Sequence, residues 1–378
     1  MGGRAANLAL AMGSLGLALL AAEAGVRLLS PIGPALLVND PGVGKRYVPG
    51  FRGRVFIDEA GRPVEVRINS RGFRGAEWPP RKPTGGLRVA IVGDSMTAAL
   101  ATAEERTFVR RLEADLRRDG RSLAEVINFG VASASTASEL LTWRRVVAEH
   151  GPDVVLLAFF TGNDLADNSS RLTRAPRVYF ELDGGGRLLQ GPEPAPTPAA
   201  VRWLDRHSRL YTWQKVAFRQ LRSAVRSGSA GVLPGEMIFA REGHPDVDDA
   251  WRVTGALLGR MRDEVEATGA RFGVVVIPCA EQVDDALWAE LARRARGAGL
   301  DVDRREPSRR LATVLERAGI ASLDLAPAFA AAARRAGSEG RLYLLGRFHL
   351  SDEGHRVAAE AIHRFLTRGA GRPLLEPR

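Results

Sequence analysis

The sequence is almost without cysteine. Cys279 stands alone among 378 residues, which excludes an internal disulfide and a cysteine-based metal cluster. It follows an apolar run, so it reads as a small buried side chain rather than a reactive thiol. Histidine is scarce too, with six residues, and no pair has ligand spacing on a shared element unless His349 and His355 converge; no metal and no other cofactor is expected. Neither a Gly-x-Gly-x-x-Gly turn nor a Walker lysine follows the first buried strand, which disfavours dinucleotide and P-loop chemistry. The chain has no internal repeat, no heptad run and no dense basic block. Its formal charge is +10, supplied nearly all by dispersed arginine, so it reads as a composition bias with some affinity for anionic surfaces, and no nucleic-acid partner is expected.

Apolar residues are plentiful at 45%, enough for one large domain or a domain with a substantial insertion. The longest apolar run comes first: Ala5 to Ala22, interrupted only by Asn7 and Ser14 and preceded by Arg4. It is just long enough to span a bilayer, and the positive short side predicts a cytoplasmic start with the rest of the chain facing outward. Ala22-Glu23-Ala24 also resembles a signal-peptide cleavage site, so a secreted product competes with a single-pass anchor. The apolar pattern resumes at Val26, Leu28 and Leu29, which favours the anchor.

Residues 1–30 are thus read as anchor or signal, and 31–86, rich in Gly, Pro and Arg, as a connector with a small β element at Val64–Ile68. From 87 to 378 short apolar runs alternate with amphipathic stretches, the signature of an α/β domain with a central parallel sheet and helices on both faces. Strands are expected at Leu87–Val92, Glu125–Phe129, Asp153–Phe160, Phe272–Ile277 and Ser322–Leu325. Helices are expected over Glu104–Arg118, Ser138–Glu149, Trp251–Thr268, a stretch ending near Ala318, and from Asp352. The alternation breaks at about 165–247, an insertion with a Pro-rich stretch and the aromatics Trp203, Tyr211 and Trp213, expected to pack a small lobe or to stack on sugar rings.

Three strand ends carry the chemistry. Ser95 follows the first strand in Gly93-Asp94-Ser95-Met96, where open α/β sheets place their ligands and where a glycine permits a tight turn into a helix N-terminus. The second strand closes with Asn128-Phe129-Gly130 and the third with Thr161-Gly162-Asn163-Asp164. The Ser95 and Gly130 N–H groups and the Asn163 amide would together donate to an oxyanion. A serine nucleophile needs a base. Of the histidines, His349 and His355 flank the start of the last helix in Phe348-His349-Leu350-Ser351-Asp352-Glu353-Gly354-His355, whereas His150, His207, His244 and His363 read as structural or surface residues.

These segments resemble, in order and approximate spacing, the blocks of the SGNH (GDSL-type) hydrolases: Gly93-Asp94-Ser95, Gly130, Gly162-Asn163-Asp164 and His349. The N-terminal apolar helix, Asn69-Ser70-Arg71-Gly72-Phe73-Arg74-Gly75 and Leu323-Asp324-Leu325 look like membrane-associated bacterial members. The resemblance implies a three-layer, flavodoxin-like fold and a serine nucleophile, Ser95, with Ser95, Gly130 and Asn163 as oxyanion hole. The family's closing block is Asp-x-x-His, which Asp352-Glu353-Gly354-His355 matches literally. The family histidine, however, precedes the last helix, and Ser351-Asp352-Glu353 is an N-cap signature. The base is therefore assigned to His349, with His355 as the alternative. Gly346 then stands where the family has its acid, followed by Arg347, leaving a dyad or an acid from elsewhere, such as Asp324; Asp94 and Asp164 read as turn and cap residues.

The reading that follows is a serine-dependent hydrolase of carboxylic, in particular acetyl, esters, with an extracytoplasmic acetylated glycan as the substrate class implied by the family. Alternatives are an O-acetyltransferase, a lipase acting on bilayer lipids, and an inactive glycan-binding domain held at the membrane, the last motivated by the missing acid.

Overall fold

The apolar runs that begin at Leu87 form one five-stranded parallel sheet in a computed structural model that describes residues 2–30, 33, 35–40, 42–173, 175–227, 234–336, 341–345 and 348–376. Ahead of the sheet, α1 (Gly2–Leu29) precedes two hairpins, β1 (Leu37–Asp40) with β2 (Gly44–Tyr47) and β3 (Arg52–Ile57) with β4 (Arg62–Arg67). The helix Gly3–Leu29 contains an 18-residue window with a mean hydropathy of 1.8, none of it buried. It has the length and composition of a membrane span or a signal sequence.

The domain proper begins with β5 (Leu87–Gly93), α2 (Ser95–Ala98), α3 (Phe108–Arg118), β6 (Ala124–Gly130), α4 (Thr136–Arg145), β7 (Val154–Phe160) and α5 (Asp164–Asp167). The insertion follows as β8 (Phe180–Leu182), β9 (Leu188–Gln190), α6 (Ala199–His207), α7 (Arg209–Ser227) and α8 (Pro234–Met237). The α/β pattern then resumes with α9 (Pro245–Ala267), β10 (Arg271–Ile277), α10 (Asp285–Gly297), α11 (Glu306–Arg317), β11 (Ala321–Asp324), α12 (Ala326–Ala336) and α13 (Asp352–Arg368). All five expected strands form, within a residue or two of their expected ends. The helix expected over Ser138–Glu149 stops at Arg145 and continues as a separate 3₁₀ turn, Val147–His150.

The strand order is β11-β10-β7-β5-β6, parallel throughout, the flavodoxin-like arrangement. The chain steps outward from β5 to β6 and then back across β5 to β7. Right-handed crossovers therefore send α3 and α4 to opposite faces. α3 packs with α13 and α13 with α12, while α4 packs with α9 and α9 with α11, giving the two helical layers. With a layer on each side, β7 has no polar face, and all seven of its residues, Val-Val-Leu-Leu-Ala-Phe-Phe, are buried. The reversal beside β5 opens a crevice at the carboxyl ends of β5, β6 and β7, where Ser95, Gly130 and Asn163 follow in sequence.

Two expectations need correction. Residues 31–86 are more than a connector, because Tyr47, Val66, Ile68 and Phe73 are buried in the common core with the sheet and its helices. Trp203 and Trp213 do not pack a lobe: they are 61% and 44% exposed, on α6 and α7, the latter packed against α1.

Candidate active site

Gly93 ends β5 because nothing larger fits: a Cβ there would sit 2.2 Å from Thr97 Oγ1. Asp94 then turns the chain into α2 by accepting the Met96 N–H at 2.8 Å on Oδ1. This leaves Ser95 as the first helical residue, partly exposed at the helix N-terminus. The short helix ends at Ala99 in a left-handed conformation, φ 52°, which disfavours a residue with a Cβ. What holds it there is Arg74, a buried guanidinium that donates to the carbonyls of Ala98 (3.1 Å), Ala99 and Thr102 (2.6 Å). Arg74 is itself placed by the Asn69–Gly75 turn, in which Asn69 Oδ1 accepts the Arg71 and Phe73 N–H groups and Gly72 takes φ 85°.

Gly130 lies opposite Gly93 in the β5–β6 register. A Cβ on it would come 2.4 Å from the Ala98 nitrogen, so glycine is required for the close approach of α2. Its own N–H is already taken, at 2.8 Å, by Asn128 Oδ1. That observation corrects the expectation that Gly130 offers a free donor. Three residues on, Ser133 adopts φ 63°, uncommon for a residue with a side chain and a form of strain that clusters at functional sites. Among the described residues its N–H has no hydrogen-bond partner. The preceding Ala132 N–H is held at 2.9 Å by the hydroxyl of the buried Tyr47.

Asn163 follows β7 and directs one amide hydrogen to Asp167 Oδ2 at 3.1 Å. Arg177 in turn lies 2.9 Å from Asp167, so the amide is fixed by a carboxylate that is itself fixed. Asp164 Oδ2 accepts the Phe160 N–H at 2.8 Å. Both Asp94 and Asp164 thus serve local turns. Burial pushes the Asp94 carboxyl up to about 6, against the Met96 N–H and the charge of His349, which favour its ionised form. Burial likewise raises Asp164 and the fully buried Glu139, and the crowding of these acids raises both further.

The two histidines part company. Ser351 caps α13, its Oγ accepting the Gly354 N–H at 3.1 Å, which leaves His349 in the loop and places His355 in the first turn. His355 is buried, stacks on Phe108 at 5.8 Å, and accepts the Phe108 N–H at 3.3 Å on Nδ1. Burial, then nearby arginines, depress its pKa to about 3. Asp352, the acid of the literal Asp-x-x-His match, instead pairs with Arg106 at 2.6 Å. His349 keeps partial exposure, and its Nδ1 lies 2.9 Å from Glu59 Oε2. Gly346 and Arg347 lie outside the described residues.

Glu59 is the residue that sequence reasoning missed. It sits in the 3₁₀ turn Asp58–Ala60 between β3 and β4, and no local pattern marks a turn glutamate 290 positions from its histidine. Asp324 spends Oδ1 on the Ala326 N–H at 2.8 Å, capping α12, and the imidazole position assigned to it is occupied by Glu59. Beside Gly162 and Phe348, the neighbours of Asn163 and His349, opens a groove of about 390 Å³ walled by Phe160, Ile238, Phe239, Leu287 and Leu291, with Glu281, Glu290 and Arg294 on its polar side.

The chain belongs to the GDSL-like lipase/acylhydrolase family, which it matches over residues 91–302, more than half its length. An ester-acting hydrolase is the class that this family and the fold define. Among solved structures it is similar to LAE5, an alpha/beta hydrolase from the metagenome of Lake Arreo, Spain (17% identity, 77% of this chain and 97% of that one, TM-score 0.40). It is also similar to the acetyl xylan esterase AlAXEase (16%, 73% and 98%, 0.40). A catalytic mutant of Axe2, an acetylxylan esterase from Geobacillus stearothermophilus, is a third (15%, 78% and 98%, 0.40). No significant match was found among curated proteins.

Proposed function

We propose that the protein hydrolyses carboxylic esters through an acyl-enzyme on Ser95, with His349 as general base and Glu59 as the carboxylate that orients it. The observation that carries this reading is the 2.9 Å contact of Glu59 with His349 Nδ1. In this reading Glu59 accepts the Nδ1–H and Nε2 is the basic nitrogen, the arrangement a serine hydrolase requires. Nε2 takes the Ser95 proton as Oγ attacks the ester carbonyl, and Glu59 stabilises the imidazolium that forms. The Ser95 and Ser133 N–H groups and the second Asn163 amide hydrogen receive the oxyanion. His349 returns the proton to the leaving alcohol, and water then resolves the acyl-enzyme by the reverse path.

The groove beside Gly162 and Phe348 supports an ester whose one side is apolar or presents a sugar-ring face, with its hydroxyls toward Glu281, Glu290 and Arg294. An acetylated glycan outside the cell fits that description, with α1 holding the domain at the membrane surface. Glu59 gives that histidine a carboxylate partner, which supports the active reading over an inactive domain. The test is hydrolysis of p-nitrophenyl acetate and of acetylated xylan oligosaccharides by the full-length chain in detergent, beside its Ser95→Ala and His349→Ala variants. Turnover lost in both variants is the expected result. Equal rates in wild type and Ser95→Ala would overturn the mechanism.

A further inference from the structure

The insertion carries an exposed apolar face far too large for a helix that merely bridges two elements. Trp203 on α6, and Trp213, Phe218 and Leu221 on α7, are 61%, 44%, 62% and 63% exposed. At 100° per residue, Leu210, Trp213, Ala217, Phe218 and Leu221 fall on one arc of α7. Residues 199–227 hold seven lysines and arginines against one acid, Asp205, which pairs with Lys215 at 2.5 Å. A helix with an exposed apolar face that includes tryptophan, in a segment rich in lysine and arginine, is the form that lies in a bilayer interface.

The same corner is bolted to α1. Glu23 of α1 accepts the Ser208 hydroxyl at 2.9 Å and the Arg209 and Leu210 N–H groups at 2.9 and 3.0 Å, capping α7. Arg27 donates to the His207 carbonyl at 2.6 Å. Glu23 follows directly on the uncharged stretch Ala5–Ala22, so a bilayer crossed by that stretch has its outer surface at the level of the α6–α7 corner.

We propose that α6 and α7 lie on the outer surface of the bilayer that α1 crosses, with Trp203, Trp213, Phe218 and Leu221 among the upper acyl chains. This rests on α1 being a membrane span. Continuity with α1 and charge complementarity name the occupant: a bilayer surface bearing anionic lipid. The platform then holds the hydrolase domain in one orientation to the membrane instead of leaving it on a tether.

The experiment is tryptophan quenching by brominated acyl chains in the full-length chain reconstituted into phosphatidylcholine/phosphatidylglycerol vesicles. α1 contains no tryptophan, Trp143 and Trp251 are buried and Trp78 and Trp288 are partly buried against the core, so the quenching that disappears in the Trp203→Phe/Trp213→Phe variant reports α6 and α7. The expected result is clear quenching, most of which is lost in the Trp203→Phe/Trp213→Phe variant and which weakens in pure phosphatidylcholine. Protein that floats with the vesicles but shows no quenching difference between wild type and variant would overturn the platform while leaving the span intact. Protein that does not float would overturn the span and the platform with it. A face covered by a second copy would appear as a cross-linked dimer with unquenched tryptophans, and also overturns the proposal.

Discussion

Replacing Glu59 with glutamine keeps its shape and removes its charge, and the structure sets what this costs. The carboxylate is only 16% exposed and 2.9 Å from the imidazole, so in the proposed mechanism it faces the positive charge that His349 acquires as Ser95 is deprotonated. Two unit charges about 4 Å apart, at the effective dielectric of about 20 that suits such pairs, attract by about 4 kcal/mol. That is a factor of about a thousand in rate. The neutral amide also accepts a hydrogen bond, so binding and fold are retained, and the loss falls on kcat with KM nearly unchanged. The assay is steady-state p-nitrophenyl acetate hydrolysis for wild type, Glu59→Gln, Glu59→Asp and Ser95→Ala, with thermal melts for each. Glu59→Asp, one methylene short of Nδ1, is expected between wild type and Glu59→Gln. A Glu59→Gln enzyme within about tenfold of wild type, a loss of at most about 1.4 kcal/mol, at an unchanged melting temperature, would refute the role.

Three further outcomes follow from the site. Arg74→Ala strands the carbonyls of Ala98, Ala99 and Thr102 and empties a buried volume, so unfolding in urea should show a loss of about 3 kcal/mol or more. Ser133→Gly relieves the φ of 63° and should raise stability by about 1 kcal/mol; because the donor is backbone, kcat/KM should stay within a few-fold, and a collapse in rate would mean that the side chain matters. His355, with its pKa near 3 in the fold against 6.5 unfolded, is neutral in both states above pH 6.5. Below that the unfolded chain takes up the proton first, so stability falls as pH drops toward 3. Between pH 7 and 5 the loss is about 2 kcal/mol, and it should vanish in His355→Phe when urea midpoints are compared at the two values.

The α/β domain was legible because its strands are buried on both faces and therefore read as short continuous apolar runs, and its helices as 3.6-residue periodicities. Ser95 and Asn163 were legible for the same reason, since each directly follows such a run. His349 was separable from His355 because Ser351 and the acids after it announce where α13 starts. The remaining parts of the site had no such marker. The Gly130 N–H is engaged by a side chain two residues back, and Ser133 takes a left-handed conformation that serine does not favour. Glu59 meets His349 only through the docking of a hairpin, a contact that no periodicity encodes.

That docking changes what counts as the catalytic domain. The family match begins at residue 91, and a chain cut at Leu87 would keep the whole parallel sheet, Ser95, Asn163 and His349. It would lose Glu59 from His349, Arg74 from the end of α2 and Tyr47 from the loop before Ser133. The loop of His349, the turn after Ser95 and the loop before Ser133 would each lose a side chain supplied by residues 31–86. Tyr47, Val66, Ile68 and Phe73 would also leave the core, at about 1.5–3 kcal/mol for each large apolar side chain, comparable in sum with the whole stability of a domain. A chain beginning at residue 31 should therefore hydrolyse p-nitrophenyl acetate like the full-length protein, whereas one beginning at Leu87 should be insoluble, or soluble and slower by at least the factor of about a thousand set by Glu59 alone. Full activity in the shorter chain would mean that the hairpins merely cover a site already complete without them.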